Sequence, residues 1–71
     1  MSNFEMQIAS PSNREKLVVE ILYKNEIIAE INQDGVELEI EIYPPSRGNR
    51  LKLPMSEFQK ALEKAKQHLI G

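Results

Sequence analysis

The chain has 71 residues, of which 41% are hydrophobic and 28% are charged; its formal net charge is −2, and it contains no cysteine and one histidine. This composition predicts one small globular domain over residues 1–71 and excludes disulfides and a histidine–cysteine zinc site. The start has no signal-peptide pattern and no apolar run long enough to span a bilayer, so we expect a cytoplasmic protein without membrane contact.

Charge is distributed unevenly along the chain. Residues 17–43 carry seven acidic side chains and one basic side chain, a net charge of −6, whereas residues 44–71 carry six basic and two acidic side chains, a net charge of +4. This polarity predicts two differently charged surfaces, and it bears on the choice of partner and on the association rate.

Residues 1–16 fit two structures. Phe4, Met6 and Ile8 alternate with polar residues, as in a short edge strand, but the turn-rich segment ASPSNRE follows. The pattern is typical either of an edge strand or of an N-terminal tail that docks its apolar residues.

Residues 17–53 predict an antiparallel sheet, and its first hairpin turns at Lys24–Glu26. We expect a three-residue loop with Asn25 in the left-handed conformation, because a two-residue loop would turn Glu20 toward the core. The opposed pairs are then Tyr23–Ile27, Ile21–Ala29 and Val19–Ile31.

The second hairpin is predicted at Asp34-Gly35, the sequence of a type I′ turn, which needs positive φ at both central residues. The opposed pairs are then Ile31–Leu38, Ala29–Ile40 and Ile27–Ile42. Each pair is apolar, so one face of this three-stranded meander forms the core and the other face carries the glutamates.

A loop and a fourth strand are predicted after the meander. Pro44 and Pro45 lack N–H donors and end the third strand. Leu51 and Leu53 alternate with polar residues, as in a short strand that returns along the third one.

The clearest helical pattern covers residues 56–70. Ser56 and Gln59 have the spacing of a capping box, and His68 suits the C-terminal end. The apolar positions form one stripe, at Phe58, Ala61, Leu62, Ala65 and Leu69. The predicted fold class is therefore α+β, a three- or four-stranded antiparallel β-meander with one C-terminal α-helix packed on one face.

The glutamates of the outward face are the first candidate site. In the predicted register Glu30 lies opposite both Glu20 and Glu39, and like charges at paired positions destabilise a sheet mildly. They form either a plain solvent face or an acidic surface that docks a basic partner. Metal binding is disfavoured, since glutamates two residues apart on a strand lie roughly 7 Å apart.

An apolar pair lies on the same predicted face. Leu22 opposes Ile28, with Val18 two residues along, and this small patch suggests a cover by residues 4–8, a partner or a second copy. The candidate partner-binding residues are Glu20, Leu22, Ile28, Glu30, Glu39 and Glu41.

A basic segment forms the third candidate site. Arg47 and Arg50 flank a glycine in a loop that could bind an anion. The net charge is negative and no aromatic stacking platform accompanies the loop, so nucleic-acid binding is disfavoured. No residue pattern indicates catalysis, a cofactor or a small-molecule substrate, and the helix end accounts for His68.

The segments GVELEIEIYPP and SEFQKALEKAKQHL resemble short, mostly uncharacterised bacterial proteins with a β-meander, an EIYP-like strand end and one terminal helix. The resemblance covers residues 17–70 and implies the same fold. Immunity partners of bacterial toxins are among such small proteins, but no site residue can be carried over.

These observations favour a small non-enzymatic protein-binding module, of the immunity or inhibitor type, that uses an acidic sheet face. Two alternatives remain open: a homodimeric structural protein joined by the same face or by the first edge strand, and an anion or nucleic-acid binder using residues 47–52.

Overall fold

The computed structural model describes residues 3–10, 12, 16–45, 48 and 50–70. Four strands form one antiparallel sheet in chain order: β1 (Phe4–Ala9), β2 (Val18–Tyr23), β3 (Glu26–Asn32) and β4 (Glu39–Ile42). One helix, α1 (Met55–Ile70), follows. The predicted fold class, an α+β meander with a C-terminal helix, is confirmed.

β1 resolves the alternative left open for the first residues in favour of a strand. It pairs antiparallel with β2, with Phe4 opposite Tyr23. The Phe4 ring is buried, and its centroid lies 4.7 Å from that of Tyr23 and 5.8 Å from that of Phe58. Aromatic pairs at these distances stabilise more than their buried area alone, so Phe4 fixes β1 to both the sheet and the helix.

The turn between β2 and β3 has two residues instead of the predicted three. Lys24 and Asn25 have φ values of 51° and 67°, the positive angles of a type I′ turn. Leu22 therefore opposes Ile27, and the predicted Tyr23–Ile27 pair is wrong. The prediction of Asn25 as a left-handed residue is confirmed.

A β-bulge beyond this turn changes which side chains of β3 point to each face of the sheet. The register shifts between Ile21 and Leu22, so that Ile28 is an extra residue of β3. From there the predicted pairs are present, with Ile21 opposite Ala29 and Val19 opposite Ile31. The bulge lets a short turn coexist with an inner face that is apolar from the Ile21–Ala29 pair onward.

The turn between β3 and β4 is longer than predicted. Ala29 opposes Ile42 and Ile31 opposes Ile40, a slip of two residues from the predicted pairs. Gly35 does not adopt positive φ, so Asp34-Gly35 is not a type I′ turn. Instead, Asn32 Oδ1 accepts a hydrogen bond from the Asp34 N–H at 3.3 Å, and residues 33–38 connect the strands. A slip of two preserves the faces.

The core lies between the inner face of the sheet and α1. Ala61 and Ala65 are buried, and their small side chains bring the helix close to the sheet; Phe58, Leu62 and Leu69 pack around them, as the predicted stripe requires. The helix packs mainly over β1 and β2. The inner face of β4 is consequently left exposed.

Two predicted elements before and within the helix are wrong. Residues 51–54 form no strand, although Leu51 and Leu53 pack on the core. The Phe58 N–H donates to the Pro54 carbonyl at 2.9 Å, so Pro54 occupies the N-cap position and Ser56 lies within the first turn, where it cannot start a capping box.

Substitution of Ile28 and Ile27 by alanine tests the bulge. Ile28 is 2% exposed and Ile27 is 37% exposed, whereas the register predicted from sequence placed Ile27 inside and Ile28 outside. We expect Ile28→Ala to lower the free energy of unfolding in urea by about 2–4 kcal/mol. The matched variant Ile27→Ala should cost less than about 1 kcal/mol. The opposite ranking would contradict the bulged register.

Candidate functional site

A row of polar side chains crosses the face of the sheet opposite the helix, here called the outer face. Gln7 pairs with Glu20, Glu20 with Glu30, and Glu30 with Glu41, one residue from each strand. The prediction that Glu20 and Glu30 pair is confirmed. The third carboxylate of the row is Glu41, and the expected Glu39 lies opposite Asn32 instead.

Each carboxylate of this row accepts a hydrogen bond from an uncharged side chain. Gln7 Nε2 donates to Glu20 Oε1 at 2.7 Å, Tyr43 Oη to Glu30 Oε1 at 3.1 Å, and Asn32 Nδ2 to Glu41 Oε2 at 3.0 Å. Uncharged donors orient the oxygens without neutralising them. These three bonds therefore orient the carboxylates of the row.

Glu30 is the centre of the row and is 5% exposed. A carboxylate buried to this extent costs free energy unless it is hydrogen-bonded or paired. The Tyr43 hydroxyl provides one such bond. Glu30 is thus too buried for its carboxylate to be a main point of contact at the surface.

The pKa of Tyr43 is affected by burial and by the glutamates around it. Its pKa is raised above the ordinary value of 10.0, first because the ring is partly removed from water, then because the hydroxyl donates to Glu30, and further because of the negative charges of Glu30, Glu41 and Glu20. All of these disfavour the phenolate. Tyr43 is therefore a neutral donor at neutral pH.

The six predicted partner-binding residues differ in accessibility. Glu39 and Glu41 are exposed, Glu20 and Leu22 are half-buried, and Glu30 and Ile28 are buried. The expected exposed pair of Leu22 and Ile28 does not form, since the bulge places Ile28 in the core. Val18, expected beside that pair, is also buried. The predicted partner of Leu22 is thus wrong: Leu22 opposes Ile27, which is 37% exposed, so a different apolar pair lies on the outer face beside the glutamates.

Sequence reasoning missed the three donors Gln7, Asn32 and Tyr43. Tyr43 shares the odd numbering of Glu39 and Glu41, and this alternation could have placed it on the outer face. Gln7 could not have been found, because the register of β1 against β2 depends on the packing of Phe4.

The basic candidates are not assembled into a site by the described residues. Arg47 lies outside them, and Arg50 is an exposed residue at the start of the irregular segment before α1. His68 lies in the last turn of α1, as predicted, and its Nδ1 lies 2.7 Å from the Lys64 carbonyl oxygen, one helical turn earlier. Among the described residues, no group of three histidine or acidic side chains is arranged to hold a metal ion.

Comparisons with known proteins identify no relative from which the role of this site could be inferred. No protein family matched the chain, and neither the curated proteins nor the solved structures contained a significant match. Within the part of the chain that the structure describes, no helix has both the length and the apolar character needed to cross a bilayer.

Substitution of Tyr43 by phenylalanine tests the hydrogen bond to Glu30. Near pH 7 we expect a loss of about 1.5–3 kcal/mol in the free energy of unfolding, because a bond to a charged acceptor is removed. The folded-state pKa of Tyr43 is raised, so its stabilisation is complete below the unfolded pKa, about 10, and is lost as the pH rises through the folded value.

The measurement is urea unfolding of both proteins at several pH values from neutrality upward. The difference between the two proteins removes every effect of pH that they share. We expect the advantage of the wild type to shrink above about pH 10. An advantage that stays constant through the whole range, or that grows, would contradict the proposed contact.

Proposed function

We propose that this protein is a small, non-enzymatic protein-binding module whose acidic outer face docks a cationic surface of a partner, in the manner of an immunity or inhibitor protein. The observation that carries this proposal is the row of three carboxylates at directly paired positions on adjacent strands, Glu20, Glu30 and Glu41. It lies on the face that the helix does not cover.

The energetics of this row support a role in binding. Like charges at paired positions in a sheet cost roughly a few tenths of a kcal/mol per pair, and lysine at alternate positions would avoid this cost. The side-chain donors described above orient these carboxylates. A cationic partner would remove the repulsion on binding, and the opposite fields would accelerate its capture.

The binding surface includes the exposed acid of the row, Glu41, and exposed acids beside it. Glu39 and Glu41 are exposed on β4, and Glu5 is exposed on β1. Glu20 is half-buried, while Glu30 contributes charge from below the surface. Direct contacts with a partner are therefore assigned to the exposed glutamates, and substitutions that test binding should leave Glu30 unchanged.

Neutralisation of Glu39 and Glu41 tests the acidic face. The double variant Glu39→Gln/Glu41→Gln should lose most of its capture of cationic proteins from a lysate of the source cells. Its free energy of unfolding should stay level or rise by a few tenths of a kcal/mol, about the size of one relieved like-charge pair. Glutamine keeps the acceptor for Asn32.

The matched control is Glu57→Gln/Glu63→Gln, which changes the net charge equally but on the helix. It should retain capture. Equal loss in both variants would show that total charge matters rather than the outer face. Retention in both would contradict the proposal.

The homodimer alternative predicts a different result in the absence of any partner. A structural homodimer should run as a dimer at micromolar concentration in light scattering coupled to gel filtration, whatever the state of Glu39 and Glu41. The proposed module should run as a monomer under the same conditions.

A further inference from the structure

β4 has an open edge, the side of the strand that faces away from β3. β4 is the last strand of the sheet order, and β3 is its one strand neighbour among the described residues. All four of its residues are exposed. A sheet edge of this kind presents unpaired backbone donors and acceptors to an incoming strand.

The hydrogen bonds to β3 show which backbone groups face this edge. The Tyr43 N–H donates to the Ile28 carbonyl at 2.8 Å. Backbone groups of successive strand residues point to alternate sides, so those of Glu39 and Glu41 face β3 as Tyr43 does. Those of Ile40 and Ile42 face the open edge. Pro44 has no N–H and ends the row of donors.

The side chains of β4 determine which residue types an added strand needs on each of its two faces. On the inner face Ile40 is 41% exposed and Ile42 is 62% exposed, since α1 packs mainly over β1 and β2. A groove of about 190 Å³ lies beside them, and its lining includes Leu38, Ile40 and Leu62. On the outer face Glu39 and Glu41 are exposed.

Charge disfavours a second copy of β4 as the occupant. An antiparallel partner that shares the two faces must place Ile40 and Ile42 opposite even-numbered residues. In every such pairing of two β4 strands, the glutamates of both copies lie on the same face. Each glutamate then lies opposite or next to a glutamate of the other copy. Lysine or arginine at those positions would instead give opposite-charge pairs.

We propose that the open edge of β4 binds, by antiparallel strand addition, an extended segment of a partner protein in which lysine or arginine alternates with aliphatic residues. The aliphatic residues lie opposite Ile40 and Ile42 and extend the core over the groove, and the basic residues lie opposite Glu39 and Glu41. This inference rests on the proposed function, because it names the partner chemistry and the docking mode of the same acidic surface.

The probe is a capped peptide of three lysine–valine repeats, titrated into the full chain by calorimetry. A peptide with the same composition, in which three valines precede three lysines, is the control for charge. We expect the block peptide to bind at least about tenfold more weakly, because it cannot place both residue types on their proper faces.

N-methylation of the peptide separates strand addition from simple charge attraction. The valine amides are the ones that face β4, so methylating them should weaken binding at least about tenfold, the effect of about 1.4 kcal/mol. Methylating the lysine amides should leave binding almost unchanged. On the protein, Ile42→Pro removes an edge donor without removing a bond to β3, and Ile42→Val is its matched control.

Amide exchange provides a local readout in the complex. Binding should slow exchange at Ile40 and Ile42, whose N–H groups become bonded, while those of Glu39 and Glu41 already face β3. Faster exchange everywhere in Ile42→Pro would show that this variant is unfolded, and the peptide methylation series then decides the question alone.

The outcomes separate this inference from the proposed function. Equal binding of the alternating and block peptides, lost in Glu39→Gln/Glu41→Gln but unaffected by valine methylation, overturns strand addition and leaves the acidic face in place. No binding of either peptide contradicts the inference, and retained capture of cationic proteins from lysate would then preserve the proposed function. A dimer joined through β4 would also overturn the inference.

Discussion

One extra residue in β3, Ile28, keeps the two faces of this sheet distinct, and the site depends on it. The type I′ turn at Lys24-Asn25 sets a register that, if it continued unbroken, would place Val19 opposite Glu30 and turn that glutamate into the core. A buried carboxylate beneath the helix would cost several kcal/mol. The bulge shifts the register once, so that aliphatic residues face α1 and Glu30 faces outward.

The outer face follows from this separation. Once Glu30 is turned outward, pairing with β2 and β4 aligns it with Glu20 and Glu41, and Tyr43, Gln7 and Asn32 supply uncharged donors to the row. The raised pKa of Tyr43 is a consequence of the same charges. Alternating positive and negative side chains on this face would stabilise the fold more than a row of acids. This conflict between folding and surface chemistry is the physical basis of the proposed binding role.

Side-chain alternation predicted more of this structure than the turn sequences did. The apolar helix stripe and the outward placement of Glu20, Glu30, Glu39 and Glu41 were correct, because burial of one face specifies parity. Both turns were predicted wrongly. Asp34-Gly35 has a type I′ sequence but forms part of a longer connection, whereas Lys24-Asn25 forms the tight turn.

The remaining misses have a common cause in tertiary packing. The bulge at Ile28 cannot be predicted from the sequence, because Ile27 and Ile28 are consecutive isoleucines. Whichever of the two points inward, the core receives the same side chain. Exposure of Ile28 and its pairing with Leu22 were therefore predicted wrongly, and Ile27 takes that place on the outer face. The sequence does not decide between a strand and a tail for β1, because its pairing depends on the contacts of Phe4 with Tyr23 and Phe58, which are distant in the chain.

The register between β3 and β4 is the most direct point at which to test this account, because it places Glu30 beside Glu41 and turns Ile40 and Ile42 to the open edge. In antiparallel pairs that do not exchange hydrogen bonds, the two α-protons lie close together. We predict nuclear Overhauser effects between the α-protons of Ala29 and Ile42 and between those of Ile31 and Ile40. Effects that instead connect Ala29 with Ile40 and Ile31 with Leu38 would contradict the account.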